Sequence, residues 1–158
     1  MWFTALRALL YMTGFALLWG WPALTVRRFD QDLGVLLPSW TGLLGIILMV
    51  LGTTLVMRCA AAFIVKGRGT PASFDPPREF VASGSYRYVR NPMYVGGVVL
   101  LTGFGFYHRS ISMVVFSFFV WLLIHFFVVL VEEPGLARRF GHTYLSYKKS
   151  VPRWLPTM

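Results

Sequence analysis

The sequence predicts an all-α polytopic membrane protein with about four transmembrane helices, a cytoplasmic loop and a C-terminal amphipathic helix. Three observations predict this class: 56% of the 158 residues are hydrophobic, only 13% are charged, and four apolar stretches approach the length of a bilayer crossing. Soluble domains carry about a quarter charged residues, so this chain has too little polar surface for a water-soluble globule. Backbone groups in lipid must bond within their own segment, which makes helices the expected structure.

The apolar stretches predict four spans. The first two cover residues 8–26 and 33–57 and contain no charged side chain. The third covers residues 91–107 and the fourth 110–131. A crossing needs roughly 20 residues, which the fourth span reaches and the third does not. The third span is short and rich in glycine, and small residues let helices approach closely. We therefore expect a tight hairpin between the third and fourth spans, turning at residues 108–109.

The basic residues predict the orientation. The formal net charge is +9, and all but three of the 15 Lys and Arg residues lie in the N-terminus, the middle segment and the C-terminal tail; the three are Arg27, Arg28 and Arg109. Four spans place those regions on one side, and cytoplasmic segments carry the excess of Lys and Arg. We expect an integral protein of a bacterial inner membrane with both termini in the cytoplasm. Membrane lipid is the expected partner of the basic surface, nucleic acid is not, and the oligomeric state is open.

The chain divides into two regions of one integrated domain. Residues 1–65 form an N-terminal transmembrane hairpin whose first span is expected to be retained, because it has one positive charge before its apolar run and no clear small-residue cleavage site. Residues 66–158 form the C-terminal region. Its first part, residues 66–90, contains three glycines and three prolines and cannot be one helix, so we expect it to fold over the membrane surface. Residues 134–149 repeat apolar side chains at helical spacing and predict an interfacial amphipathic helix.

The sequence does not indicate metal chemistry. Cys59 is the only cysteine, which excludes an internal disulfide and a cysteine-based zinc site. The three histidines, His108, His125 and His142, show no metal-ligand spacing. No metal is therefore expected.

The start of the third span is the first candidate site. Asn91 is a favourable N-cap, and Pro92 suits the first helical position. A helix start offers unpaired N–H groups to an anionic group, and Arg87 and Arg90 would strengthen the positive field. The alternative is an ordinary capped helix beside arginines that mark the cytoplasmic side.

The end of the fourth span is the second candidate site. Glu132 and Glu133 are adjacent carboxylates at the negative end of a helix, which disfavours each by about 0.3–1 kcal/mol, so cations are expected to compensate. Pro134 disfavours helical geometry at Glu133, so the span is predicted to end or kink there. His125 lies seven residues before Glu132, on nearly the same face of a regular helix, and is a functional candidate as an ionisable group inside the membrane. In the structural alternative the glutamates form interfacial salt bridges and a neutral His125 bonds to a neighbouring helix.

These segments together resemble the integral-membrane methyltransferases of the isoprenylcysteine carboxyl methyltransferase and phospholipid N-methyltransferase group. The resemblance runs from Gly67 to the C-terminus. It is carried by GxGTP at 67–71, DPPR at 75–78, YRYVRNPMY at 86–94, EEPxL at 132–136, FGxxYxxY at 140–147 and VPRW at 151–154. In that family this half of the protein forms a pocket for S-adenosylmethionine between the last two spans and the cytoplasmic segments.

The resemblance implies a set of cofactor-binding residues. Gly67 and Gly69 match the GxG of the phospholipid enzymes. Tyr94 matches the tyrosine after the family's R-(H/N)-P signature. Glu132 and Glu133 match its paired glutamates. The cytoplasmic loop is thereby interpreted as a cofactor-binding loop.

The chemistry of S-adenosylmethionine extends this set. Its carboxylate suits the start of the third span, and its cationic sulfonium and amino groups suit carboxylates and aromatic faces. The residues added on this ground are Arg87, Arg90, Asn91 and Pro92. Asn91 stands where isoprenylcysteine enzymes carry histidine and where phospholipid enzymes can carry asparagine.

The implied activity is methyl transfer to a lipid-phase or amphipathic acceptor at the cytoplasmic face, either a small molecule or a lipid. The catalytic candidates are His125, Glu132 and Arg90, with His125 or a glutamate as the base if the acceptor must lose a proton. Nitrogen, sulfur and oxygen acceptors all remain open. Two alternatives are a membrane reductase that uses NADPH and has a similar C-terminal region, and a non-catalytic membrane subunit.

Overall fold

Six α-helices make up most of the structure, a computed structural model that describes residues 2–67, 70 and 79–156. In the described chain there is no β-strand, and the all-α class is confirmed. The helices are α1 (Trp2–Val26), α2 (Phe29–Leu33), α3 (Thr41–Val65), α4 (Pro92–Tyr107), α5 (Ile111–Phe127) and α6 (Glu133–Ser150). A 3₁₀ turn, Gly84–Arg87, precedes α4, and a π-helical turn, Val128–Glu132, joins α5 to α6.

In the described part of the chain, three helical stretches are long and apolar enough to cross a membrane: Trp2–Leu33, Thr41–Val65 and Ile111–Ser150. The fourth apolar helix, α4, has 16 residues. At 1.5 Å per residue such a helix covers about 24 Å, somewhat less than the ~30 Å hydrocarbon core. It packs between α3 and α5. The protein is therefore a polytopic membrane protein, as predicted.

Glycines from α3 and α4 meet where these two helices pack most closely. A Cβ atom at Gly52 would lie 2.6 Å from the carbonyl oxygen of Gly96, and one at Gly103 would lie 2.8 Å from that of Gly45. The two contacts lie two helical turns apart on each helix, so they repeat along one face of the antiparallel pair. We call this contact the glycine seam. Only hydrogen fits between the two backbones there, which is how small residues bring transmembrane helices together.

The glycines of α4 therefore pack against two helices, α3 and α5. From the sequence, they were expected to pack only in the hairpin with the fourth span. That hairpin does exist, since α5 begins just after Tyr107 and its first turn is capped by Ser110, whose Oγ accepts from the Met113 N–H. Gly105 packs on α5, where a Cβ atom would lie 3.0 Å from Val114 Cγ2. Gly96 and Gly103, however, face α3 through the seam. The closest approach is thus between the second and third spans.

The chain remains α-helical at Glu133, where an end or a kink was predicted. Glu133 has φ −60° and ψ −43°, and its N–H donates to the carbonyl of Val128, five residues earlier. Proline lacks an N–H and crowds the carbonyl four residues before it. The wider π turn makes room ahead of Pro134, so the helix continues into α6. The prediction of non-helical geometry at Glu133 is wrong, but the regular α-helix of α5 does end nearby, at Phe127, in a π turn that was not predicted.

The tail helix α6 is amphipathic but bent. Gly141 has φ 51° and ψ −128°, a left-handed conformation that glycine tolerates best. On one side of α6 the rings of Phe140 and Tyr144 pack against Phe80, with centroids 5.3 and 6.0 Å apart. The described end of the middle segment therefore folds against the tail, on the same side of the bundle as the start of α4.

At the opposite end, the short helix α2 follows α1 after two residues. The buried carboxylate of Asp30 accepts a hydrogen bond from the backbone N–H of Ser112, 2.9 Å away, in the first turn of α5. A carboxylate at a helix N-terminus is favoured by the helix dipole. Gly34, at φ 62°, ends α2. Asp30 thus fastens α2 to the start of α5.

Candidate functional site

Predicted site residues from distant segments come together where α4 begins and α5 passes into α6. Tyr94 Oη donates to Glu132 Oε2 at 2.8 Å. Arg90 Nη1 donates to Glu133 Oε1 at 2.7 Å. The partners are 38 and 43 residues apart in sequence. The packing of α4 against α5 therefore creates these contacts.

The carboxylate of Glu133 lies at the centre of a cluster of cations. Its side chain is only 5% exposed and pairs with Arg90, Lys148 and Arg153, each at 2.7 Å. A second bond runs from Arg153 Nη2 to Glu133 Oε2 at 3.2 Å, and this ion pair raises the pKa of Arg153. A buried carboxylate is tolerated when it is paired in this way. We call this group the Glu133 clamp. The sequence predicted compensating cations, but it did not single out Lys148 or Arg153.

Residues 151–154, here called the C-terminal strap, lie along the start of α4. The backbone N–H of Arg90 donates to the carbonyl of Pro152 at 2.8 Å. Asn91 Nδ2 donates to the carbonyl of Arg153 at 3.3 Å. α4 starts at Pro92 as predicted, but the side chain of Asn91 makes no capping bond and holds the strap instead. The strap thus links the tail to both candidate segments.

His125 also contacts the strap. Trp154 Nε1 donates to His125 Nδ1 at 3.0 Å, and the Trp121 ring lies 5.8 Å from the imidazole. Because Nδ1 accepts this bond, the neutral ring carries its proton on Nε2. His125 would have to give up the Trp154 bond before Nδ1 could take a proton. The π turn also separates His125 from Glu132, so the register of a regular helix does not apply between them. The catalytic role of His125 stays a prediction.

An unpaired donor remains beside the start of α4. Arg90 Nε is buried and has no hydrogen-bond partner among the described residues. It adjoins the first turn of α4, where backbone N–H groups have no intrahelical acceptor. Arg87 is exposed at the end of the 3₁₀ turn. These donors can hold an anionic group, as the sequence proposed.

The predicted GxG is described only in part. Gly67 follows α3, is buried, and its carbonyl accepts from the N–H of Glu79 at 3.3 Å. Gly69 lies outside the described residues. Nearby, Tyr147 Oη donates to the carbonyl of Tyr86 at 2.6 Å, and burial raises the pKa of Tyr86 well above its ordinary value. These contacts join the middle segment to α3 and to the tail.

A sequence model of the family described as phospholipid methyltransferase matches residues 40–143. The chain belongs to this family. The matched range runs from the start of α3 into α6 and includes Arg90, Tyr94, Glu132 and Glu133. The strap lies beyond it.

A relative in Schizosaccharomyces pombe carries the name protein-S-isoprenylcysteine O-methyltransferase. The two sequences are 36% identical in an alignment 84 residues long that covers 48% of this chain and 32% of that protein. The chain therefore spans about a third of the length of the relative it matches. Both findings agree with the group that the sequence motifs resemble.

Proposed function

We propose that this member of the phospholipid methyltransferase family transfers a methyl group from S-adenosylmethionine to a lipid-phase or amphipathic acceptor. The observation that carries the proposal is the Tyr94–Glu132 pair beside the Glu133 clamp, built from the start of α4 and the α5–α6 junction. Both lie within the range that matches the family. The name of the relative, an O-methyltransferase, supports the reaction class.

The residues at this site suit both charged ends of S-adenosylmethionine, which when bound supplies a methyl group on a cationic sulfur. Glu132 offers a carboxylate and Tyr94 an aromatic face to the cationic groups. Arg90 Nε and the first turn of α4 offer donors to a carboxylate, with Pro92, Asn91 and Arg87 around them. In this assignment Glu132 binds the cofactor directly.

Glu133 has a different part in this assignment. The sequence placed it among the cofactor ligands, yet its carboxylate carries three cationic contacts. We assign it the task of orienting Arg90 and the strap around the cofactor. Catalysis by methyl transfer depends chiefly on holding the two reactants in line, so the rigidity of this wall matters for rate.

The surroundings of Glu132 suit an acceptor from the lipid phase. Leu130 and Val131, the two residues before it, are 69% and 55% exposed on the outside of the bundle. An acceptor dissolved in lipid therefore reaches the end of α5 without crossing water. If the acceptor carries a proton, Glu132 and His125 are the candidate bases.

The test is calorimetric titration of the purified protein in detergent with S-adenosylmethionine. We expect saturable binding by the wild type and loss of binding in Glu132→Gln. The matched control is Asp32→Asn, which removes an exposed carboxylate from α2 at the other end of the bundle and should leave affinity unchanged. A well-folded wild type that binds no cofactor overturns the proposal.

The same preparation separates the alternatives. Saturable binding of NADPH instead would identify a reductase. Copurification of a stoichiometric protein partner, without binding of either cofactor, would identify a non-catalytic subunit. Transfer of labelled methyl groups into a lipid extract then decides between lipid and small-molecule acceptors, and its products show whether nitrogen, sulfur or oxygen is methylated.

We also propose that the site faces the cytoplasm of a bacterial inner membrane. The clamp cations Arg90, Lys148 and Arg153 lie at this end of the bundle, and cytoplasmic ends carry the excess of basic residues. A reporter that works only in the cytoplasm should be active when it is fused to the C-terminus. Activity of a reporter that works only outside the cytoplasm would reverse the orientation.

A further inference from the structure

Two cavities flank the joint between α1 and α2, at the end of the bundle opposite to the candidate site. The larger, of about 530 Å³, is lined by Arg27, Arg28 and His108 together with the apolar side chains of Leu24 and Leu36. The smaller, of about 270 Å³, is an apolar groove. Its walls include Val26, Phe29, Val115, Phe116 and Phe119. We call the two together the elbow site.

The described lining of the larger cavity carries more positive than negative charge, with two arginines against one carboxylate. Arg27 and Arg28 are exposed, and within the described chain neither forms a salt bridge. Asp30 also lines this cavity and lies near enough to Arg27 to be stabilised by its charge, but its carboxylate is buried and already bonded to the N–H of Ser112. Partial burial lowers the pKa of His108, and the charge of Arg27 lowers it further, so the guanidinium lies close enough to act on that ring. The cavity is therefore complementary to an anion.

The stacking of Arg28 on Phe29 joins the two cavities. The guanidinium carbon lies 5.1 Å from the ring centroid. Arg28 lines the charged cavity and Phe29 lines the apolar groove, so a ligand with an anionic head and an apolar chain can occupy both at once.

Aromatic side chains place the elbow at the level of the lipid headgroups. Trp21, at the end of α1, is 75% exposed, and Trp40, just before α3, is 65% exposed. Tryptophans concentrate at the membrane–water interface, where their amphipathic rings are most stable. The charged cavity thus lies at headgroup depth. The groove runs along α5, which continues into the hydrocarbon.

We propose that the elbow site binds an anionic phospholipid, with its phosphate at Arg27 and Arg28 and one acyl chain in the groove along α5. The lipid would fasten the end of α1 to α5. This inference does not depend on methyl transfer, because the site lies at the other end of the bundle from Glu132.

The test is native mass spectrometry of the detergent-purified protein, incubated with phosphatidylglycerol or phosphatidylcholine. A basic residue near an anionic leaflet contributes a factor of about five in affinity, so Arg27→Gln with Arg28→Gln should weaken retention of phosphatidylglycerol about thirty-fold. Phosphatidylcholine should be retained weakly by both proteins. Equal retention of the two lipids by the wild type would overturn the proposal.

The matched control is Arg138→Gln with Arg139→Gln. This pair is also adjacent and exposed, and Arg139 also stacks on the next aromatic residue, Phe140, at 5.4 Å. It should retain phosphatidylglycerol like the wild type. An equal loss in this control would show that total charge, and not the elbow, attracts the lipid, and would contradict the proposal.

Three further measurements keep the test independent of folding defects. Arg27→Lys with Arg28→Lys keeps the charge and should keep most of the retention. Val115→Trp fills the groove without changing charge and should reduce retention, whereas full retention would refute the acyl-chain position. Inorganic phosphate in excess should not displace the lipid, because it lacks an acyl chain; complete displacement would reassign the site to a free anion.

Discussion

The glycine seam and the Glu133 clamp hold neighbouring parts of this protein together by opposite means. In the seam, α3 and α4 approach because side chains are missing, and the backbones themselves make the contact. In the clamp, α4, α6 and the strap are joined by long charged side chains around one buried carboxylate. The seam depends on shape and tolerates no added atom, whereas the clamp depends on charge and leaves polar groups available.

The glycine seam belongs to the packing of the helix bundle, and the Glu133 clamp belongs to the candidate site. Van der Waals contact between glycine-rich helices is strong in lipid and has one geometry. A cluster of three cations and one carboxylate, by contrast, carries excess positive charge and includes the unpaired Nε of Arg90. The seam thus fixes the position of α4 against α3, and the clamp places polar groups beside the start of α4.

The largest expected effect is in the seam. Gly52→Ala should destabilise the protein by about 3 kcal/mol, because its Cβ atom would lie 2.6 Å from backbone atoms of α4. Gly97→Ala is the control on α4, since nothing lies within 4 Å of its Cβ position. The free energy of unfolding in an SDS titration measures both. Equal losses would show that the seam is not the tight contact described.

The next effect separates the two glutamates. Glu133→Gln should lower the free energy of unfolding by about 2 kcal/mol, less than for a fully buried pair because Lys148 and Arg153 are partly exposed. Glu132→Gln should lower the free energy of unfolding by about 1 kcal/mol, since it loses mainly the hydrogen bond from Tyr94. If the Glu132 variant were destabilised more than the Glu133 variant, Glu132 would be the structural residue and Glu133 the candidate cofactor ligand.

A smaller effect tests how the strap is held. Trp154→Phe and His125→Phe should each cost about 1 kcal/mol, the net value of one hydrogen bond. The double variant should cost about as much as either one, because both remove the same contact. Fully additive losses would mean that Trp154 and His125 act independently.

The smallest expected effect lies between α4 and α5. Thr102 and Ser117 share a hydrogen bond of 2.8 Å, and such bonds between membrane helices contribute about 0.6 kcal/mol. Thr102→Val should therefore lower stability by about that amount. Thr54→Val is the control, because among the described residues that hydroxyl bonds only to the carbonyl of Val50 in its own helix. An effect of Thr102→Val as large as that of Gly52→Ala would contradict the scaffold role of the seam.

Local sequence patterns determined much of this protein. Apolar run lengths predicted the spans because a helix must cover the hydrocarbon and bond its own backbone, and Pro92 marked the start of α4 because proline suits that position. The motifs containing Arg90, Tyr94, Glu132 and Glu133 also predicted the family.

Tertiary structure decided the partners. Glycines mark close packing but do not say which neighbour they face, so the seam between α3 and α4 was not predicted. The π turn arises from the balance between Pro134 and the packing around α5, which spacing in a regular helix cannot reveal. Which cation pairs with Glu133, and that Trp154 binds His125, depends on the path of the strap across the bundle. Residues far apart in sequence meet only after the helices have packed, and this is why the family could be predicted from the chain while the geometry of the candidate site could not.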